Sequence, residues 1–248
     1  ISMDKLIYPV GSIGKPFTAS LLAKRIEEGK IHLDDSLDQF IPDLPEKYYP
    51  NILRLATHHS GYGLAPFNFF QMLEKLMNMN KENGIMHVNP FRGYPDEEVM
   101  LDILKNKKLK DQDYKFEYCN FAFGVLGYIL GKLEDTDYFT AMDAYIRELG
   151  LMDTSLSNSQ MTGYDKKGNP CQPWQWENTD IIAPAGALLS SMEDLLKFAQ
   201  ITFDGSHPYL AMCHEKYAEG EAPFDQGLAW RLKKDSSISY HVGNAGAF

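Results

Sequence analysis

The chain has 248 residues and a formal net charge of −10, with 44% hydrophobic and 23% charged residues. That length buries a large core and allows one large domain or two smaller ones, and the composition is globular, without heptads, repeats or low-complexity tracts. An acidic balance with no basic cluster argues against nucleic acid as a partner, and no run approaches the ~18 apolar residues that would read as a membrane span.

In chain order, the start at Ile1 shows no signal-peptide pattern and no initiator Met, so it reads as something other than the natural start, with export left open. The stretch 11–24, GSIGKPFTASLLAK, opens a first helix expected over 16–28. Pro16 suits a first turn, Phe17, Leu21, Leu22 and Ile26 follow helical spacing, and Gly29 stops the run. Lys24, Arg25, Glu27 and Glu28 take the remaining face. Further helices are expected over 67–79, 96–106, 120–132 and 138–149, the last closed by Gly150. Another follows over 191–203, where Ser190 and Ser191 ahead of Glu193 and Asp194 read as a cap. The lysine-rich run Lys105 to Lys110 reads as a solvated helix end. Around Gly227 to Leu232 and Ser237 to Val242 the pattern turns to alternation, with Ile238, Tyr240 and Val242 on one face and Ser237, Ser239 and His241 on the other. That is a strand pair, so a helix-rich chain becomes β near its end, as in a helical domain followed by part of an α/β domain.

Cys119, Cys171 and Cys213 are odd in number and widely spaced, which suggests neither a disulfide framework nor a zinc site. His58 and His59 lack a third ligand at zinc spacing and read as structural residues of a loop.

Lys15 is the residue out of place. The positive end of the helix dipole favours acids at a helix start and disfavours a cation. Ser12 lies three residues before Lys15, which on a helix puts both on one face with Cβ atoms about 5–6 Å apart. A lysine desolvated there loses affinity for its proton and can take the proton of a serine hydroxyl. The alternative is that Ser12 is an ordinary N-cap. The spacing recurs at Ser2 and Lys5, where no helix follows.

S-x-x-K, followed by two further motifs, marks serine β-lactamases and penicillin-binding proteins. GSIGKPFTASLLAKRIEEGKIHLDDSLDQFIP followed by LRLATHHSGY resembles the early part of the serine β-lactamase and D-alanyl-D-alanine carboxypeptidase superfamily, in its class C-like branch. In that branch the second motif is Y-x-N, matched by Tyr118-Cys119-Asn120 in FEYCNFAFGVLGYILG, and the third is K/H-x-G, matched by His241-Val242-Gly243 in HVGNAGAF. GLMDTSL, GYDKKGNPCQPW and PAGALLSSMEDLLKF lie between them in the family's order. Tyr49-Pro50-Asn51, His59-Ser60-Gly61 and Lys166-Lys167-Gly168 satisfy the same patterns without the helix or strand that belongs beside them.

The resemblance implies an α/β two-domain serine β-lactamase-like fold, a helical domain plus an antiparallel sheet flanked by helices. The mainly helical domain would cover 11–205 with the first two motifs, and 1–10 with 206–248 would form part of the sheet domain with the third. It also implies a serine hydrolase acting on D-alanyl-type peptides, β-lactams or related amides. Ser12 would form an acyl-enzyme, with Lys15 and Tyr118 sharing the proton traffic. Asn120 would bond the substrate amide, the backbone N–H groups of Ser12 and Asn244 would form the oxyanion hole, and His241 and Gly243 would line the substrate side, His241 facing a carboxylate or a hydroxyl-bearing relay. No metal or cofactor is implied. The partner would be a β-lactam, a D-alanine-terminated peptide or an ester, and the location extracytoplasmic in a bacterium, with membrane association open. The alternatives are a family VIII-like carboxylesterase and a non-catalytic penicillin-binding or sensor homologue.

Several features depart from the family pattern. Gly14 replaces a second serine often found before the lysine, Cys119 fills the middle of the second motif, and no E-x-x-L-N stretch supplies a class A glutamate. His241 stands where many β-lactamases have lysine, and a neutral imidazole is a weaker carboxylate anchor, which leans toward peptidase or esterase chemistry. The family's flanking helix and strands before the nucleophile, and its strands and long helix after the third motif, are missing from the sequence. The sheet is therefore expected to be incomplete and the chain a truncated or partly ordered fragment, with specificity residing in loops 80–95 and 205–225.

Overall fold

A computed structural model describes residues 6–63, 89–165 and 167–246. The helix expected over 67–79, most of the 80–95 loop, the Ser2/Lys5 match and Lys166 lie outside the described residues.

Among the described residues, helices α1 (Gly14–Glu27), α3 (Glu97–Asn106), α4 (Asn120–Lys132), α5 (Tyr138–Glu148) and α6 (Met192–Phe203) follow the expected segments within a residue or two, and a short helix α2 (Ile52–Ala56) forms where none was expected. Local chemistry starts five of them, Asn51 accepting the Arg54 N–H at the start of α2. Asp96, Cys119, Asp137 and Ser191 each accept a backbone N–H from three residues on, which satisfies a donor that the first turn leaves open. The lysine run after α3 is exposed at Lys105, Lys107, Lys108 and Lys110.

α1 differs from its sequence pattern. It has no side-chain cap, and a tight turn over Gly11–Ile13 leads into it, so Ser12 is not its N-cap. Residues 14–23 are all buried, including Thr18 and Ser20, so the polar face is confined to the last turn. The buried hydroxyls are satisfied, Thr18 Oγ1 donating to the Pro184 carbonyl and Ser20 Oγ to the Phe17 carbonyl, each at 2.8 Å. Arg25 turns inward and pairs with Glu28 and Glu134, each at 2.9 Å. Phe17 stacks on Phe198 of α6 with centroids 3.9 Å apart, and Phe121, Phe123, Leu126 and Ile129 of α4, at most 1% exposed, complete the core around α1. A side chain at Gly127 would put its Cβ 2.1 Å from Pro184 Cγ, so the bare helix surface there lets the Ala183–Ala185 turn press against α4.

The strands are β1 (Ile7–Pro9), β2 (Gly163–Tyr164), β3 (Pro170–Cys171), β4 (Leu189–Ser191), β5 (Ala218–Glu219), β6 (Phe224–Gln226), β7 (Arg231–Lys233) and β8 (Ser239–Tyr240). β1 pairs with β4, β2 with β3, and β5 to β8 form an antiparallel sheet in chain order. The expected strand pair is β7 with β8, Arg231 facing Tyr240 and Leu232 facing Ser239. β8 is shorter than the alternation suggests, however, and His241-Val242-Gly243 lies beyond its end. There the backbone crosses the strand-to-turn segment at Val10, where a Cβ on Gly243 would come within 1.9 Å of the Val10 carbonyl oxygen. The alternating apolar face is not a buried one: Ile238 is 52% and Val242 61% exposed, while Tyr240 meets Phe224 edge-on. The 205–225 segment is more ordered than a loop, since a tight helical turn over Pro208–His214 buries Tyr209, Leu210 and Cys213 and is followed by β5 and the start of β6. All three cysteines are free and buried.

Candidate active site

Ser12 stands in the turn ahead of α1, where Gly11 has φ +54 and a Cβ would lie 2.5 Å from the Asn244 carbonyl oxygen. Only glycine fits this left-handed, crowded position, and its smallness brings the Asn244 backbone onto the Ser12 turn. Two cavities meet at Ser12. One, of about 230 Å³, is lined by Tyr118, Arg231, His241, Gly243 and Asn244. The other, of about 170 Å³, is lined by Asn120, Phe91, Trp174, Trp176 and Asn244.

Lys15 lies beneath the serine, fully buried. Its Nζ is 3.0 Å from Ser12 Oγ, donates to the Ala185 carbonyl at 2.7 Å, and sits 4.7 Å from the Tyr118 ring centroid and 5.7 Å from that of Phe123. Burial holds its pKa well below the ordinary lysine value, because water no longer stabilises the ammonium. An amine so placed has, in its neutral form, a lone pair for the serine proton.

Tyr118 shifts the other way. Burial pushes its phenol up to about 12, against the opposing pull of a Ser12 hydrogen bond and the Arg231 charge. At neutral pH it is a proton donor. Cys119 caps α4, its Sγ accepting the Ala122 N–H at 3.2 Å, and burial raises the thiol to about 11, so it stays protonated. Asn120, the first residue of α4, has a buried Oδ1 without a partner, an acceptor free for an incoming N–H. His241 Nδ1–H donates to the Val242 carbonyl at 2.8 Å. Loss of solvation first, then the Lys15 charge, pushes its pKa down to about 3, so the ring is neutral. The structure thus brings together Ser12, Lys15, Tyr118, Asn120, His241, Gly243 and Asn244 around one cleft.

Sequence reasoning missed other residues of this cleft. Arg231 lines the His241 cavity and pairs with Glu221 at 3.3 Å. An arginine in a strand carries no local signal; it enters the cleft because β7–β8 register sets it opposite Tyr240, next to the third motif. The Ala185 carbonyl and the rings of Phe91, Trp174 and Trp176 arrive through packing alone. Two of the motif look-alikes are bound elsewhere: Tyr49 donates to the Pro45 carbonyl at 3.0 Å, and His59 Nε2 lies 3.1 Å from the Glu219 carbonyl. Among the described residues no group of three or more His, Cys, Asp or Glu is placed to hold a metal ion.

A family model described as Beta-lactamase matches residues 4–248. A beta-lactamase from Providencia stuartii is 26% identical over 208 residues, covering 80% of this chain and 47% of its own length. A class C beta lactamase crystal structure matches with a TM-score of 0.72 at 23% identity, covering 94% of this chain and 62% of its own. A beta-lactamase/D-alanine carboxypeptidase from Pseudomonas syringae matches with a TM-score of 0.71 at 21% identity, covering 95% and 63%. The chain therefore spans about half the length of the first relative, at 47%, and less than two thirds of both solved structures, whose fold, helices with antiparallel sheets, it shares.

Proposed function

The chain belongs to the beta-lactamase family, and we propose that it is a serine hydrolase that forms an acyl-enzyme on Ser12 with a carboxylate-bearing amide, a D-alanyl-type peptide or a β-lactam. The observation that carries this reading is the fully buried Lys15 amine 3.0 Å from Ser12 Oγ, at the junction of two cavities. Ser12 Oγ attacks the substrate carbonyl as its proton passes to Lys15. Charge building on the carbonyl oxygen is met by the backbone N–H groups of Ser12 and Asn244. Tyr118, protonated at neutral pH, gives its proton to the leaving nitrogen, the C–N bond breaks, and the Lys15 ammonium restores the phenol. Water then releases the acyl group by the reverse proton path.

Arg231 favours an anionic substrate. The neutral ring of His241 is a poor anchor for a carboxylate, as the sequence suggested, but the Arg231 guanidinium lines the same cavity and suits a carboxylate. A carboxylate in that cavity meets a permanent cation, which favours a peptidase or penicillin-recognising site over one for neutral esters.

Intact-mass measurement after exposure to benzylpenicillin tests the reading. One covalent adduct on the wild-type protein, lost in Ser12→Ala, is expected. Equal adduct on both proteins would overturn the assignment of Ser12, and turnover of short-chain nitrophenyl esters without any adduct would replace it with the carboxylesterase alternative.

A further inference from the structure

His58 and His59 adjoin in the loop after α2, yet their surroundings differ. His59 Nδ1 lies 2.7 Å from the Thr57 carbonyl on the side of the loop that meets β5. His58 is 2% exposed and has φ +64, a left-handed backbone that His, Asn and Asp tolerate better than other side chains. Its carbonyl accepts the Glu117 N–H at 2.9 Å, and its Nδ1 accepts the Cys119 N–H at 3.0 Å. These two bonds grip the backbone on either side of Tyr118. The His58 ring also lies along the Tyr118 ring, with centroids 4.5 Å apart and planes 32° from parallel, and touches Phe123 and Phe116.

The tautomer follows from the partner. A backbone N–H only donates, so Nδ1 carries the lone pair and the neutral ring bears its hydrogen on Nε2, which is buried with no partner.

We propose that His58 is a positioning residue for acyl transfer, its carbonyl and Nδ1 holding the backbone on both sides of Tyr118 while its ring backs the phenol, so that Tyr118 and Asn120 keep the geometry that Ser12 requires. The inference rests on the acyl-enzyme reading above. It also explains why the ring stays neutral. A protonated ring would turn an Nδ1–H against the Cys119 N–H. The groups that face it favour neutrality: desolvation acts first, the Arg231 charge adds to it, and Tyr118 and Cys119 are protonated alongside.

The test is the single-turnover acylation rate with a chromogenic cephalosporin, measured with pH for wild type, His58→Asn and His58→Gly. Asparagine and glycine both suit a positive φ, but only asparagine sets an acceptor oxygen where Nδ1 stands. We expect His58→Asn to keep the wild-type rate within about threefold and the wild-type pH profile. His58→Gly is expected to acylate about 10–100-fold more slowly with little change in substrate affinity, the scale of a misplaced catalytic group. A His58→Gly protein that acylates like wild type would overturn the proposal, as would a folded His58→Asn that is slowed more than threefold, since the imidazole would then carry protons itself. If His58→Gly does not fold, His58→Asn decides alone by the same limit. Wild type that forms no adduct overturns the acyl-enzyme reading and the inference with it, whereas wild type that labels beside an equally fast His58→Gly overturns the inference only.

Discussion

Lys15 and His241 both face the Ser12 region, Lys15 fully buried and His241 half-buried. Lys15, with Tyr118, Cys119 and Asn120 beside it, belongs to a wall made by α1 and α4, where packing leaves the amine no contact with water and gives it fixed partners in Ser12 and the Ala185 carbonyl. Val242, Gly243 and Asn244 are exposed, past the end of β8, and are held by the close approach of Gly243 to Val10 and of Gly11 to Asn244. Dryness drives Lys15 down and Tyr118 up, which favours the neutral form of each. On the open wall the histidine is neutral and Arg231 lines the cavity beside it. Water exclusion sets the proton affinities of the first wall, and the cleft opens at the second.

Breaking the dry wall should cost most. Lys15→Ala is expected to slow acylation about 10³-fold, the range for loss of a positioned general base; a change of a fewfold in stopped-flow would show that Lys15 only packs. The wild-type rate should fall on acidification as Lys15 gains its proton, and burial places that fall well below the ordinary lysine range. No step near pH 6.5 is expected, because His58 and His241 are both held neutral there. The backbone of the open wall comes next. Gly243→Ala pushes a Cβ into the Val10 carbonyl oxygen and moves Asn244, and should lower the acylation rate about 10²-fold, as expected when one oxyanion donor is misplaced. The smallest effect sharpens the contrast: Arg231→Ala should raise KM about tenfold for a carboxylate-bearing substrate, the worth of one charge-assisted hydrogen bond, and leave KM for a neutral ester unchanged. Equal losses on both substrates in steady-state kinetics would show that Arg231 supports the fold and not the ligand.

Much of the helical frame was legible because its signals are short-range. Asp96, Asp137 and Ser191 cap helices through bonds to residues three positions on, so their sequence neighbours suffice to find them. β8 was less legible, since alternation over 237–242 says which side chains alternate but not how far a neighbouring strand keeps pairing. The 205–225 stretch reads as a loop because its helical turn lacks a cap and owes its place to packing under α1, where Cys213 Sγ meets the Ala19 carbonyl at 3.6 Å.

The same division holds in the cleft. The sequence alone determined that Ser12 and Lys15 would meet, because three residues on one helical turn bring side chains together whatever surrounds them. Tertiary structure alone decided that Lys15 would be dry, that a carbonyl 170 residues away would hold its Nζ, that Arg231 would face the third motif and that His58 would grip Tyr118. Each of these depends on segments far apart in the chain packing against one another, and desolvation, which sets the proton affinities, does not exist until they do.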